Sequence, residues 1–193
     1  MEAALQIPSV MSVREFLSWN APAGTRWQLI DGIPTAMAPT SRTDGAIQAE
    51  LGAMIRDHLR LGGGPCSIIS APGIVPRIRS SENFRIPDLA VTCTPYQAEE
   101  YDLSDPVLII EILSPSNKAE TWANIWAYAT IPSVREILIV HSTAILAEVL
   151  RRDADGAWPD RTTRIEEGDL TLSSIGFQAP IASVYATTRL ASP

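Results

Sequence analysis

The stretch 107–118, VLIIEILSPSNK, decides the fold. Val107 to Leu113 is an apolar run broken only by Glu111, the pattern of a strand covered on both faces in the middle of a sheet. A buried carboxylate is costly unless it is paired or holds a metal ion. Five residues past the strand stands Lys118, the only lysine of the chain.

Outward from this strand the elements follow in order. SNKAETWANIWAYATIP reads as a helix, with Asn117 as its cap and Glu120 completing a capping box. Trp122, Ile125, Trp126 and Ala129 are expected on its core face, and Pro132 lies just past its end. VREILIVH (134–141) is the next strand, so strand 107–113, helix and strand 134–141 make a parallel crossover. A short turn at Ser142-Thr143 leads to ILAEVLRR (145–152). Upstream, RIPDLAVTC (85–93) is a strand with a second buried acid, Asp88, after Pro87. CSIISAPGIVPRIR (66–79) is strand-like and broken at Pro72-Gly73. Before it, Ile47, Leu51, Ile55 and Leu59 form one stripe of a helix. Thr43 or Asp44 would cap that helix, and Gly62-Gly63-Gly64 would end it. RWQLIDGIPTAM (26–37) reads as a hairpin about Asp31-Gly32. Ser12 and Glu15 form a capping box for a helix over 12–18. Short strands near 161–165 and 169–172 and a helical turn at 181–187 close the chain. The reading is an α/β (α+β) fold, a mixed sheet flanked by helices, in a single domain 1–193 with its core in 10–190.

With 193 residues, 46% of them hydrophobic and 19% charged, the chain is globular rather than disordered. A net charge of −7 and a pI of about 4.8 argue against a protein that coats nucleic acid non-specifically, because such binding neutralises phosphates with lysine and arginine. A local basic groove remains open. Cys66 and Cys93 are too few for a zinc cluster or a disulfide scaffold and read as buried free thiols in a reducing compartment. No basic, apolar leader begins the chain, and no apolar run approaches the ~18 residues that span a bilayer. A cytoplasmic protein is expected, and a homodimer is among the assemblies open to it.

Asp88 and Glu111 interrupt buried strands. A structural account pairs them with Arg77, Arg79 or Arg85. A chemical account uses them to hold a divalent cation, which activates water and neutralises a scissile phosphate while a lysine steadies the developing charge. Lys118 lies in the first turn of its helix, where the dipole disfavours a cation, and it is the lysine on hand for that role. His58 and His141 lack ligand spacing, and Ser114 and Ser116 lack a base, so these read as structural. Tyr128 reads as core.

The pattern resembles a known family. Pro87-Asp88 followed by Glu111 in an apolar strand is similar to the PD-(D/E)XK nuclease signature. RWQLIDGIPTAMAPTS, NFRIPDLAVTC, PVLIIEILSPS, the helix running into WAYATIPSVREILIV, and LTLSSIGF resemble the Uma-type restriction endonucleases over nearly the whole chain. The resemblance implies a restriction-endonuclease-like fold, an Mg²⁺ or Mn²⁺ site and cleavage of nucleic acid, DNA being the first candidate. Asp88 and Glu111 take the metal-ligand positions, joined by the backbone carbonyl of Ile112, and Arg77, Arg79 and Arg85 are candidates for phosphate contact. The chain departs from the family at three positions. Leu113 fills the slot of the signature lysine, Asn124 the helix slot to which the family usually moves it, and Gln28 a frequent glutamate. Either Lys118 substitutes, or the fold serves as a binding or regulatory module without catalysis.

Overall fold

The computed structural model describes residues 10–95, 99–115 and 117–191. Along the chain run α1 (Val13–Ser18), β1 (Trp27–Ile30), β2 (Ile33–Ala36), α2 (Arg42–Gly62), β3 (Ser67–Ser70), β4 (Leu89–Thr92) and β5 (Pro106–Leu113). Then come α3 (Lys118–Tyr128), β6 (Glu136–His141), β7 (Ala147–Arg151), β8 (Thr163–Ile165), β9 (Asp169–Leu172), β10 (Phe177–Pro180) and α4 (Ile181–Val184). Six strands form a sheet in the order β3-β4-β5-β6-β7-β8. The β5–β6 pair is parallel and spanned by α3, and the other pairs are antiparallel. β5 is interior, and every residue from Leu108 to Leu113 is buried.

Strand alternation divides the core in two. Leu108, Ile110 and Ile112 face α2 and meet its buried stripe Ile47, Leu51, Ile55 and Leu59, together with Leu170, Leu172, Phe177 and Tyr185. Ile109 and Leu113 face α3 and pack with Ile125, Tyr128, Ile137 and Ile139. Glu111 has the parity of this second set and therefore points under α3. A third cluster of Met11, Leu29 and Phe84 seats the β1–β2 hairpin. Leu29 and Phe84 exchange main-chain hydrogen bonds of 2.8 and 3.0 Å, which fixes the hairpin beside the segment that leads into β4.

Several local expectations change. α2 is capped by Ser41, ahead of Thr43, because Ser41 and Asp44 bond reciprocally in a capping box. The Asn117 side chain does not cap α3. It accepts from the Ser114 main-chain N at 2.8 Å and donates to the Ile112 carbonyl at 3.1 Å, tying the helix to the end of β5. Ser116 lies outside the described residues. Trp126 is 57% exposed. The buried side of α3 is Thr121, Asn124, Ile125 and Tyr128, and at about 100° per residue Trp126 lies nearly opposite its centre. The stretch after β3 does not continue as a strand beyond isolated bridges at Gly73 and Ile74.

Cys66 and Cys93 form a disulfide, which overturns the reading of free thiols. Ser67 pairs with Thr92, so the next residues outward, Cys66 and Cys93, meet across β3 and β4. A separation of 27 residues in sequence conceals that contact. No helix among the described residues is long and apolar enough to cross a membrane.

Candidate functional site

Asp88 precedes β4 by one residue, and Leu89 pairs with Ile110. Extending that register places Asp88 opposite Glu111, on the α3 face. Pro87 keeps the approach extended. The Asp88 carbonyl accepts from the Ala71 main-chain N at 3.0 Å and from Gln48 Nε2, on α2, at 2.8 Å. Its carboxylate Oδ2 accepts from the Ile112 main-chain N at 2.7 Å. Backbone and side chain are thus both held.

Asp88, Glu111 and Ile112 line one cleft of about 770 Å³. Its walls add Asp44 of α2, Glu120 and Asn124 of α3, Ser142 and Thr143 beyond β6, and two cations, Arg26 and Arg189. Negative charge predominates. Burial, reinforced by Asp44, raises the Asp88 carboxyl to about 6, against the pull of the Ile112 N–H and Arg26. Burial pushes Glu111 well above the usual carboxylate range, and the Asp88 charge pushes it further. Tyr128 and Asn124 oppose that shift. Even so, among the described residues Glu111 Oε1 is buried with no hydrogen-bond partner, as are the Tyr128 hydroxyl, Asp44 Oδ1 and Gln28 Oε1. Unmatched buried oxygens beside a second carboxylate suit a hard divalent cation. Among the described residues no three His, Cys, Asp or Glu side chains form a preassembled metal cluster. Two carboxylates and a main-chain carbonyl are therefore the donors on offer.

A buried polar chain supports the site from behind. Arg85, 5% exposed, donates through Nη1 to Asn124 Oδ1 at 2.7 Å, and through Nε and Nη2 to Asn83 Oδ1 at 3.1 and 2.8 Å. Asn83 also accepts from the Asp31 main-chain N and donates to the Asp31 carboxylate, each at 3.1 Å, which couples it to the β1–β2 turn. From the same hairpin Gln28, fully buried, donates to Glu120. A guanidinium only donates, so Asn124 must turn its oxygen to Arg85 and its Nδ2 the other way, toward Glu111.

The anticipated site residues separate. Asp88, Glu111 and Ile112 come together. Lys118 is exposed and does not line the cleft. It is two residues before Glu120, which at about 100° per residue turns it ~160° away from that side chain, to the edge of the cleft beyond Thr121. Arg77 and Arg79 are exposed outside the cleft, Arg79 within 3.5 Å of Asp31 and 3.8 Å of Glu82. None of the three arginines forms an ion pair with Asp88 or Glu111 among the described residues. Arg26 and Arg189 are the cleft's cations instead. In the sequence, Asp44 and Glu120 read as cap acids, and nothing marks Arg26 or Arg189. His58 bonds the Ile175 carbonyl at 2.9 Å and His141 the Glu148 carboxylate at 2.8 Å, in keeping with structural roles.

A family model, Uma2, described as "putative restriction endonuclease", matches residues 13–182. The chain belongs to the Uma2 family. It is 28% identical over 177 residues to the uncharacterized protein slr1290 of Synechocystis sp., covering 91% of each. It also superposes on the crystal structure of a protein from Anabaena variabilis described as a putative nuclease belonging to DUF820. The TM-score is 0.74 at 15% identity, over 91% of this chain and 98% of that one. At that identity the likeness bears on the fold, and the expected nuclease-type mixed sheet with flanking helices is what the Uma2 chain has.

Proposed function

We propose that this Uma2 protein is a metal-dependent endonuclease that hydrolyses phosphodiester bonds of nucleic acid, DNA first, in the cleft between β4, β5, α2 and α3. One observation carries the reading. Asp88 and Glu111 face each other in a partly enclosed cleft with no cation of the described residues at ion-pair distance. Such an arrangement is unfavourable as a structural device and favourable as a binding site for positive charge.

Asp88, Glu111 and the Ile112 carbonyl would hold Mg²⁺ or Mn²⁺. A divalent cation bound there supplies a water activated near neutral pH and neutralises charge on the phosphate. The protein's own residues do the rest. The Ile112 N–H holds the Asp88 carboxylate in one orientation. Arg26 and Arg189 line the cleft and are placed to contact the phosphates of an entering strand. Arg85 supplies a buried positive charge beside Asn124, Tyr128 and Glu120 and aims the Asn124 amide at Glu111. In this reading, the work of the missing lysine at Leu113 or Asn124 passes to the Arg85–Asn124 pair rather than to Lys118.

The test is incubation of the protein with supercoiled plasmid and with single-stranded DNA and RNA, with and without Mn²⁺, beside Asp88→Asn. Nicking that needs Mn²⁺ and is lost in the variant is expected. No cleavage of any of these by a folded parent that also fails to bind Mn²⁺ would overturn the reading and favour a binding or regulatory module.

A further inference from the structure

Lys118 and Arg77 have no place in the cleft, yet both border an exposed aromatic face on α3. Lys118, Trp122, Trp126 and Thr130 succeed one another at four-residue spacing and so form one stripe. Lys118 stands two residues from cleft-lining Glu120, and Trp122 and Trp126 each stand two from cleft-lining Asn124. At about 100° per residue Trp126 lies roughly 160° from Asn124, while Lys118 lies only about 60° from cleft-lining Thr121, so the stripe starts at the rim of the cleft and winds away from it. Trp126 is 57% exposed, while Trp122 rests partly on the core. Their ring centroids are 6.4 Å apart with planes tilted by 34°. At the foot of the stripe, Thr130 Oγ1 accepts from the main-chain N of Arg77 at 3.0 Å and of Ile78 at 3.3 Å, which anchors the loop carrying the exposed Arg77.

Charge selects the occupant. The one acid of α3, Glu120, is turned into the cleft and bonded by Gln28. Neither Lys118 nor Arg77 forms an ion pair among the described residues. In a chain of net charge −7, this helix offers a face free of acids, with two tryptophans between two cations. That combination fits a ligand that is anionic and aromatic at once.

We propose that this face binds single-stranded nucleic acid, with bases stacked on Trp126 and Trp122 and phosphates against Lys118 and Arg77. Every base has a π face, so such a platform is sequence-tolerant. A strand leaving the cleft has only to pass around α3, ~10–12 Å across, to reach it. The face would therefore hold the single-stranded segment that flanks the cleft. Only this last link rests on the nuclease reading.

The test is fluorescence anisotropy with a labelled 15-nucleotide oligothymidylate in EDTA, so that no cleavage intervenes. Trp126→Ala should weaken binding about 5- to 100-fold. Lys118→Gln should lower the slope of log K against log salt by about 0.7. Both substituted α3 residues are exposed, so the variants are expected to fold. Equal binding by parent and Trp126→Ala, or no binding by the parent, overturns the proposal. So does a change in oligomeric state on Trp126→Ala with oligonucleotide binding intact, which would make the face a protein interface. A protein that binds through Trp126 but never cleaves refutes the nuclease reading alone, and one that cleaves with indifference to Trp126 refutes the platform alone.

Discussion

Replacing Asp88 by asparagine should stabilise the metal-free protein, by an amount that depends on pH. Burial, with Asp44 adding to it, raises the Asp88 carboxyl from 3.8 to about 6. The native protein thus holds this proton more tightly than the unfolded chain does. The associated stability is fully present below pH ~4 and is lost as pH rises through ~6. The gap between the two values corresponds to about 3 kcal/mol. Asparagine keeps an oxygen for the Ile112 N–H without a charge, as the protonated acid does, and the pull of that N–H on the carboxylate is already contained in the value of about 6. The gain expected at pH 7.5 is therefore about 3 kcal/mol, or several degrees in Tm for a chain of this length. At pH 4 it should vanish. Urea unfolding of parent and variant in EDTA at pH 4, 5, 6 and 7.5 measures this, and the difference between them cancels carboxyls that titrate alike in both. Adding Mn²⁺ at pH 7.5 should stabilise the parent, by about 2.7 kcal/mol at one hundred times its Kd, and leave the variant unchanged. A variant less stable than the parent by about 3 kcal/mol or more at pH 7.5 would refute the reasoning, because that is the cost of stranding a charge in a broken ion pair.

Three further outcomes are expected. Asn124→Lys should destabilise the protein, since its ammonium would meet the Arg85 guanidinium that now bonds Asn124 at 2.7 Å, and adding Arg85→Met should recover stability. Thermal melts of the two single variants and the double variant test this, and strict additivity would refute it. Reducing the Cys66–Cys93 disulfide, which closes a span of 27 residues, should cost about 3.5 kcal/mol on the chain-entropy account, read as a drop in urea midpoint with dithiothreitol that a Cys93→Ala variant does not show. Gly73→Ala should cost about 2 kcal/mol or more, because a Cβ there would lie 2.0 Å from the Phe84 ring and 2.5 Å from the Tyr101 carbonyl. A variant melting within a degree of the parent would contradict that packing.

Periodicity and local chemistry alone carried much of the architecture. The run around Glu111 marks an interior strand, the Ile47–Leu59 stripe a helix lying on the sheet, and Asp31-Gly32 a tight turn, where φ is 48° and 81°. Each is legible because the cause lies within a few residues of its effect. The nearness of Asp88 to Glu111 was legible too, given two buried strands each holding one unexplained acid. Other features depended on register and helix rotation, which no local pattern records. Cys66 meets Cys93 because β3 and β4 pair so that Ser67 faces Thr92. Asp44 and Glu120 satisfy the local rule for a cap acid, yet packing turns both into the cleft. Arg85 lies three residues from Asp88 in sequence, but on folding its fork reaches Asn83 and Asn124 and, among the described residues, no carboxylate. Lys118 and Trp126 were misplaced for one reason. A helix has a circumference, and which part of it faces sheet, cleft or solvent is set by the elements packed against it. Local sequence determines that α3 forms, and only the tertiary contacts of Thr121, Asn124, Ile125 and Tyr128 determine which way its charges and rings point.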